Sequence, residues 1–483
     1  MKKLLILILA ALGPTVAWSA SYDLVIRGGR VMDPETGLDK PMNVGITAGR
    51  IARISSEPLA GTRTLDAHGL VVAPGFIDLH QHAQDDVSGV LKAFDGVTSG
   101  LEMEIGVPDV KEFLTRKTGH SLINFGTTAS HSAARAAAFG QPLALTDLIP
   151  ASGHSSNDPA TPAQLAQMES FLQHELDAGA LGIGMGIQYV PGATRDEIIQ
   201  IFRLAASRHV PVFTHVRSAG RKEPGSSIEA VEEVIGAAAV TGASLQIVHI
   251  NSSCLADAPE CLSMVAGARA RGLDVTTEAY PYTAGMTEIN SALFDPGWQE
   301  KFGISYDALM LPNTGERLTR QRFDELHASP KSQPVVLFLN RQEVVDAVIA
   351  DPLASIASDG ELGHPRDAGT FCKILARYVR ELRTVTLMDA IRKMSLMPAQ
   401  RLEKSTLTAR RKGRIQEGAD ADIVVFDPAT VTDRATYEHP REHSTGMRYV
   451  LVNGVPVIDK GALVPGVLPG RGIVSGQDSG AAR

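Results

Sequence analysis

Apolar and polar residues alternate with a period of two in Tyr22–Met32 and again in Met42–Ile54, between turns rich in glycine and proline. That is the pattern of short half-buried strands. The same texture returns in Ala421–Asp427 and Tyr449–Ile458, so the two ends of the chain are expected to build one small β-sandwich together. The middle reads differently. Short apolar runs alternate there with helical segments, which predicts parallel strands joined by crossover helices. Eight runs qualify: Val71–His80, Val97–Glu104, Leu122–Thr127, Leu181–Gly186, Val210–His215, Ser244–His249, Leu273–Tyr280 and Ala354–Asp359. Two helix starts are explicit. Thr161-Pro-Ala-Gln164 and Ser226-Ser-Ile-Glu229 each place a capping residue three positions before a Gln or Glu and ahead of an apolar stretch. A ninth apolar run, Val335–Leu339, exceeds the eight-strand count and is assigned to an insertion.

The expected architecture is therefore an α/β protein, a (β/α)₈ TIM-like barrel with a small β-sandwich built from both chain ends. The boundaries read as 21–72 and 409–475 for the two parts of the sandwich and 73–408 for the barrel. An insertion falls around 285–345, and a flexible tail runs from 476 to 483. Residues 1–20 read as a signal peptide, with Lys2 and Lys3 ahead of apolar Leu4–Leu12 and small residues near Ala20. The apolar run is too short to span a bilayer core of about 30 Å. The mature protein is thus expected in a periplasm or outside the cell, without membrane attachment. The 46 basic and 54 acidic side chains of the full chain give a formal charge of −8, and losing the two N-terminal lysines would take this to −10. No basic stretch points to nucleic acid. Only three cysteines occur, so a disulfide scaffold is excluded. Cys254 and Cys261 either pair across a short loop or stay as free thiols.

Polar residues that end buried strands carry the chemistry, because catalytic side chains of an α/β barrel stand at the C-terminal mouths of its strands. The first strand ends in Asp78-Leu-His80-Gln-His82, whose two imidazoles project to the same side. The fifth ends at His215, the sixth at His249 and the eighth at Asp359. Four histidines and an aspartate closing separate apolar strands point to one axial metal site. Zinc is the default for an imidazole-rich hydrolytic site, with manganese or cobalt left open. Gly182-Ile-Gly-Met-Gly186 resembles a dinucleotide loop, but its third glycine comes too early and close packing inside a strand accounts for it better.

Pro74-Gly-Phe-Ile-Asp-Leu-His80-Gln-His82 and Gly418-Ala-Asp-Ala-Asp-Ile-Val-Val-Phe-Asp427 resemble the opening and closing motifs of the amidohydrolase superfamily. Gly179–Gly192, Tyr280-Pro-Tyr-Thr-Ala-Gly285, Ala357-Ser-Asp-Gly360, His364-Pro-Arg366 and Gly369-Thr-Phe371 look like its D-aminoacylase branch. The resemblance implies hydrolysis of the amide bond of an N-acyl-D-amino acid by a metal-activated water. It further implies one or two metals, with Asp359 as general acid and base. A dipeptidase or cyclic-amide hydrolase is the enzymatic alternative, and a non-catalytic binding protein the other. The strand-four lysine that bridges two metals in many members is missing here, as is the strand-two cysteine of D-aminoacylases. Glu104 is expected to bridge His80 and His82 on one side and His215 and His249 on the other. Glu102, of the same strand parity, is its alternative. The Leu-Glu-x-Glu pattern is similar to that of deacylases acting on N-acyl-D-glutamate and related acids. Arg217, Tyr282, Arg366 and His131 are the substrate-binding candidates by resemblance. Asn251 stands where the family commonly has a lysine, so Arg217 or Arg366 would take over a carboxylate contact. Each arginine is equally well placed for an interdomain salt bridge. The partner is a small N-acyl amino acid, and homo-oligomerisation is left open.

Overall fold

The computed structural model describes residues 21–147, 149–329 and 331–476. The segment read as a signal peptide, and the tail from residue 477 onward, lie outside the described residues.

Eight parallel strands follow one another in chain order around a single sheet. They are β1 (Phe76–Asp78), β2 (Val97–Val107), β3 (Asn124–Ser130), β4 (Ile183–Gly186), β5 (Val212–His215), β6 (Leu245–Ile247), β7 (Val275–Ala279) and β8 (Ala354–Ile356). The sheet closes just beyond its first and last strands. Gly360 N–H donates to His80 O at 3.1 Å, while Gly360 O accepts from His82 N at 2.9 Å and Ala83 N at 3.0 Å. Below this seam the fully buried Lys92 holds Asp78 Oδ2 at 2.9 Å and Ser358 Oγ at 2.5 Å. Asp78 Oδ1 in turn accepts from the backbone of Ser358 at 2.9 Å. A charge this deep is tolerable only because its partners are equally buried and hydrogen-bonded.

Helices cover the outside of the barrel, and the two with explicit starts begin where the capping boxes put them, at Pro162–Asp177 and Ser227–Thr241. Their inner faces, through Leu172, Leu176, Val231 and Val234, join Val212, Ile247 and Phe202 in the main core. Each such side chain contributes about 1.5–3 kcal/mol by leaving water. The glycines in and just before β4 are required by contact. A Cβ on Gly184 would stand 2.6 Å from Glu104 O, and one on Gly182 2.5 Å from Pro211 O.

The apolar run from Val71 divides at Gly75. Val71–Pro74 pairs with Ile423–Phe426 of the C-terminal segment, and only Phe76 onward belongs to the barrel. A Cβ on Gly75 would stand 2.2 Å from Thr98 Oγ1, so the crossing between sheets has no room for a side chain. The sheet domain built from both chain ends combines Ser21–Asp33, Leu38–Thr47, Arg50–Ser55 and Ala60–Asp66 with Ile423–Phe426, Met447–Val452 and Val455–Asp459. Leu24, Ile26, Val44, Val72, Ile423 and Leu451 fill it. Pro334–Phe338, the ninth apolar run, pairs antiparallel with Ala284–Glu288 and Leu309–Met310 in a small sheet between β7 and β8. Cys254 and Cys261 form a disulfide, which settles the alternative that the sequence leaves open. No helix among the described residues is long and apolar enough to cross a membrane.

Candidate metal centre

The mouths of five strands converge on Glu104. Its Oε2 lies 3.0 Å from His80 Nε2 and 3.1 Å from His82 Nε2, and its Oε1 lies 2.8 Å from His215 Nδ1 and 2.9 Å from His249 Nε2. Asp359 Oδ1 completes the first group, 3.4 Å from His80 Nε2 and 3.3 Å from His82 Nε2. Two clusters of potential ligands result, His80–His82–Glu104–Asp359 and Glu104–His215–His249, with Glu104 common to both.

The far side of each imidazole is held by the protein. His80 Nδ1 meets Glu278 Oε1 at 2.8 Å, His82 Nδ1 meets Glu102 Oε2 at 2.7 Å, and His215 Nε2 meets Gln188 Oε1 at 2.6 Å. His249 Nδ1 meets Ser253 Oγ at 3.1 Å. With those outer nitrogens donating, every inner nitrogen presents a lone pair to a carboxylate oxygen, and the Nε2 atoms of His80 and His82 face one another at 3.2 Å. Acceptors facing acceptors in a buried space require a positive charge between them. Burial pulls His80 down, yet Glu104 and Asp359 outweigh it and raise it to about 10. Burial likewise raises Glu104, and the surrounding imidazoles outweigh it and hold it well below the usual carboxylate range. A field that draws protons this strongly also draws divalent cations, and the donor set fits two of them. His249 and Asp359 both sit at positive φ, 28° and 52°, a strained backbone kept where functional side chains must be aimed.

Asp359 is buried, and burial raises its carboxyl. Arg366 and His80 reverse that and hold it below its ordinary value. Arg366 Nη1 donates to Asp359 Oδ2 at 2.7 Å, and its guanidinium lies 5.0 Å above the Tyr280 ring. The candidate Arg366 is therefore in the site, but fully buried and engaged behind Asp359.

The three other substrate candidates do not line the cleft or the pocket beneath it. Arg217 spends its guanidinium on Glu233, at 2.8 Å through both Nε and Nη2, and on the carbonyls of Pro191 and Ala193. His131 Nε2 is bonded to Glu197 Oε1 at 2.7 Å, and Glu197 also holds Arg135. Tyr282 donates to Pro365 O at 3.3 Å under Lys373. Tyr280, two residues earlier, lines the inner pocket instead. Asn251 clamps the backbone of Tyr280 from both sides, at 3.3 and 3.4 Å, so it replaces a lysine's charge with a positioning contact. Sequence reasoning also missed Glu278, Gln188 and Tyr189. Glu278 was accessible to the argument applied to Glu102, an acid in an apolar strand.

The cleft above the metal-ligand residues has a volume of about 620 Å³. Its outer wall carries Asp147, Glu288 and Glu361 against the single cation Lys331 among the described lining residues. Burial pushes the carboxyl of Glu361 up to about 7. An inner pocket beside His215 and His249 is largely apolar, lined by Ala219, Leu293, Phe302, Leu337 and Leu339.

A barrel with two ligand groups sharing one carboxylate and an aspartate at the mouth of β8 defines a metal-dependent hydrolase. The chain belongs to the amidohydrolase family, whose profile matches residues 63–458. It is 32% identical to an N-acyl-D-glutamate deacylase of Alcaligenes xylosoxydans xylosoxydans, over 93% of this chain and 96% of that one. A D-aminoacylase of the same organism is 30% identical over 91% of this chain and 95% of its own. Among solved structures, the N-acyl-D-glutamate deacylase of Bordetella bronchiseptica, complexed with zinc and a phosphonate mimic of the tetrahedral intermediate, superimposes with a TM-score of 0.79. It is 25% identical, and the match covers 94% of this chain and all of that one.

Proposed function

We propose that the protein hydrolyses the amide bond of N-acyl-D-amino acids, releasing a D-amino acid and a carboxylate. The observation that carries the reading is Glu104, shared by two groups of inward-facing imidazole nitrogens with Asp359 beside one of them. The names of the relatives supply the D-aminoacyl substrate class. His80, His82 and Glu104 would hold one cation, and Glu104, His215 and His249 a second, with zinc assigned from the imidazole-rich donor set. Bound there, divalent cations bring the pKa of water towards 7 and polarise the scissile carbonyl.

The remaining work falls to side chains of this chain. Asp359 Oδ1 takes the proton of the attacking water and returns it to the departing amine, a poor leaving group until protonated. Arg366 keeps Asp359 ionised and fixes Oδ2, leaving Oδ1 to face the reaction. A slot opens at Gly285, where a Cβ would stand 3.4 Å from Tyr280 Oη and 3.9 Å from Arg366 Nη1. We assign the substrate α-carboxylate to this slot, which turns the amino-acid side chain towards the outer cleft. The acids of that cleft disfavour an anionic substituent, so the preferred substrate is neutral or cationic there, unlike N-acyl-D-glutamate.

Assay of the zinc-loaded protein against N-acetyl-D-methionine, N-acetyl-D-glutamate, their L-isomers, dipeptides and dihydroorotate tests the reading. Turnover of N-acetyl-D-methionine above its L-isomer is expected. Activity confined to dipeptides or to the cyclic amide would replace the assignment, and bound metal without turnover of any of them would leave a binding protein.

We further propose export from the cytoplasm. The charged and apolar pattern of residues 2–12 supports it, as does the Cys254–Cys261 disulfide, a bond that persists in oxidising compartments. N-terminal sequencing of the protein recovered from cell fractions should begin close after Ala20. An intact Met1 in the cytosolic fraction would refute it.

A further inference from the structure

Gln188 occupies the short turn Ile187–Tyr189 that leaves β4, and only 4% of it is exposed. Its Oε1 accepts from His215 Nε2 at 2.6 Å, while its Nε2 is buried in the inner-pocket wall without a hydrogen-bond partner. A buried amide N–H₂ left unsatisfied costs about 1–3 kcal/mol, so its retention calls for an acceptor that arrives later. Turning the amide over would only exchange which of its two atoms is left unpaired. It would also place a donor against His215 Nε2, forcing the proton onto Nδ1, the nitrogen that faces Glu104.

We infer that Gln188 acts in two directions. Towards the metal centre, Oε1 holds His215 as the Nε2–H tautomer, so that the Nδ1 lone pair points to the side shared with Glu104 and His249. Towards the inner pocket, Nε2 donates to an oxygen of the bound substrate, alongside Tyr280 and close to Asp359. A single amide thus couples the orientation of a metal-ligand residue to substrate recognition, and it does so from β4, which lacks the lysine that many superfamily members place there.

The inference rests on the hydrolase reading above, and two variants separate its halves. Gln188→Glu retains an acceptor for His215 Nε2–H and loses the donor. It should keep the zinc stoichiometry and chelator-competition affinity of the wild type while kcat/KM for N-acetyl-D-methionine falls at least ~10-fold. Gln188→Met removes both contacts and should weaken zinc at one of the two sites by ~10- to 100-fold, read by mass spectrometry and chelator competition. Gln188→Ala carries that measurement if the methionine variant does not fold. Wild-type zinc affinity in the Met or Ala variant overturns the positioning role. Wild-type kcat/KM in Gln188→Glu overturns the donor role. If the wild type hydrolyses no N-acyl-D-amino acid, the substrate assignment and the donor role fall together, whereas the zinc measurement still decides the tautomer role.

Discussion

At the scale of single residues, Asp359 has each carboxylate oxygen committed, one to Arg366 and one to the space between His80 and His82. Asp359→Asn should keep most bound metal and the fold but lose at least ~100-fold in kcat, because a positioned acid/base contributes 10²–10⁴. Near-wild-type turnover would take Asp359 out of the reaction. Glu104→Ala should release one or both metals, since both ligand groups use it. Glu102→Ala should keep most of the metal and lower the melting temperature, because Glu102 holds His82 Nδ1 and the backbone N–H groups of Ile105 and Gly106. Metal content and thermal unfolding of the two variants check this, and the reverse outcome would exchange the roles. These residues were legible in the sequence because an acid or imidazole at the end of an apolar strand is costly to bury unless a partner or a cation meets it. Arg217, His131 and Tyr282 lie away from the pockets, because closeness in sequence to a strand end does not say which way the side chain turns. Tyr280 and Tyr282 have the same parity, but β7 ends at Ala279, so strand parity no longer fixes their directions and only the first stays on the pocket wall. Gln188 left no signal, as a glutamine in a turn is ordinary until its unpaired amide is seen.

At the scale of elements, the alternation of apolar runs and capped helices was enough to lay out the barrel, whose strand ends shifted by only a few residues. The misassigned stretch was Val71–Pro74, where continuous hydrophobicity hid a passage from one sheet to another at Gly75. Lys393 illustrates what element packing does to a charge. It is buried against the foot of β8, donating to Asp351 O and, at 2.9 Å, to Ala354 O. Burial lowers its ammonium from 10.5 to about 8. Because the folded state binds fewer protons than the unfolded state between those values, this group's contribution to stability rises as pH climbs from about 8 to 10.5. It is lost as pH falls through 8. The difference in unfolding free energy between wild type and Lys393→Met should therefore shift by roughly 2–4 kcal/mol in favour of wild type across that interval. A difference independent of pH would show that Lys393 titrates normally in the folded protein.

At the scale of the whole molecule, the net charge of −8 and the acids of the outer cleft act in the same direction on a charged substrate. Replacing Glu288 and Glu361 by glutamine should raise kcat/KM for N-acetyl-D-glutamate relative to N-acetyl-D-methionine by roughly 2- to 30-fold per charge removed, measured at pH 8 and low salt. An unchanged ratio would mean that the substrate never approaches that wall. The closure of the barrel carries a different consequence. The peptide of Gly360 fastens the first strand's exit to the last strand's exit, between residues that bear His80, His82 and Asp359. The place where the cylinder is zipped shut is thus the same place where the first cation would sit. Such an ion acts as a clasp between the two ends of the barrel sequence, so stripping it should unzip this edge before any other part of the barrel. The amide protons of His82, Ala83 and Gly360 would then be the first in the barrel to exchange with solvent, and the first to regain protection when zinc returns.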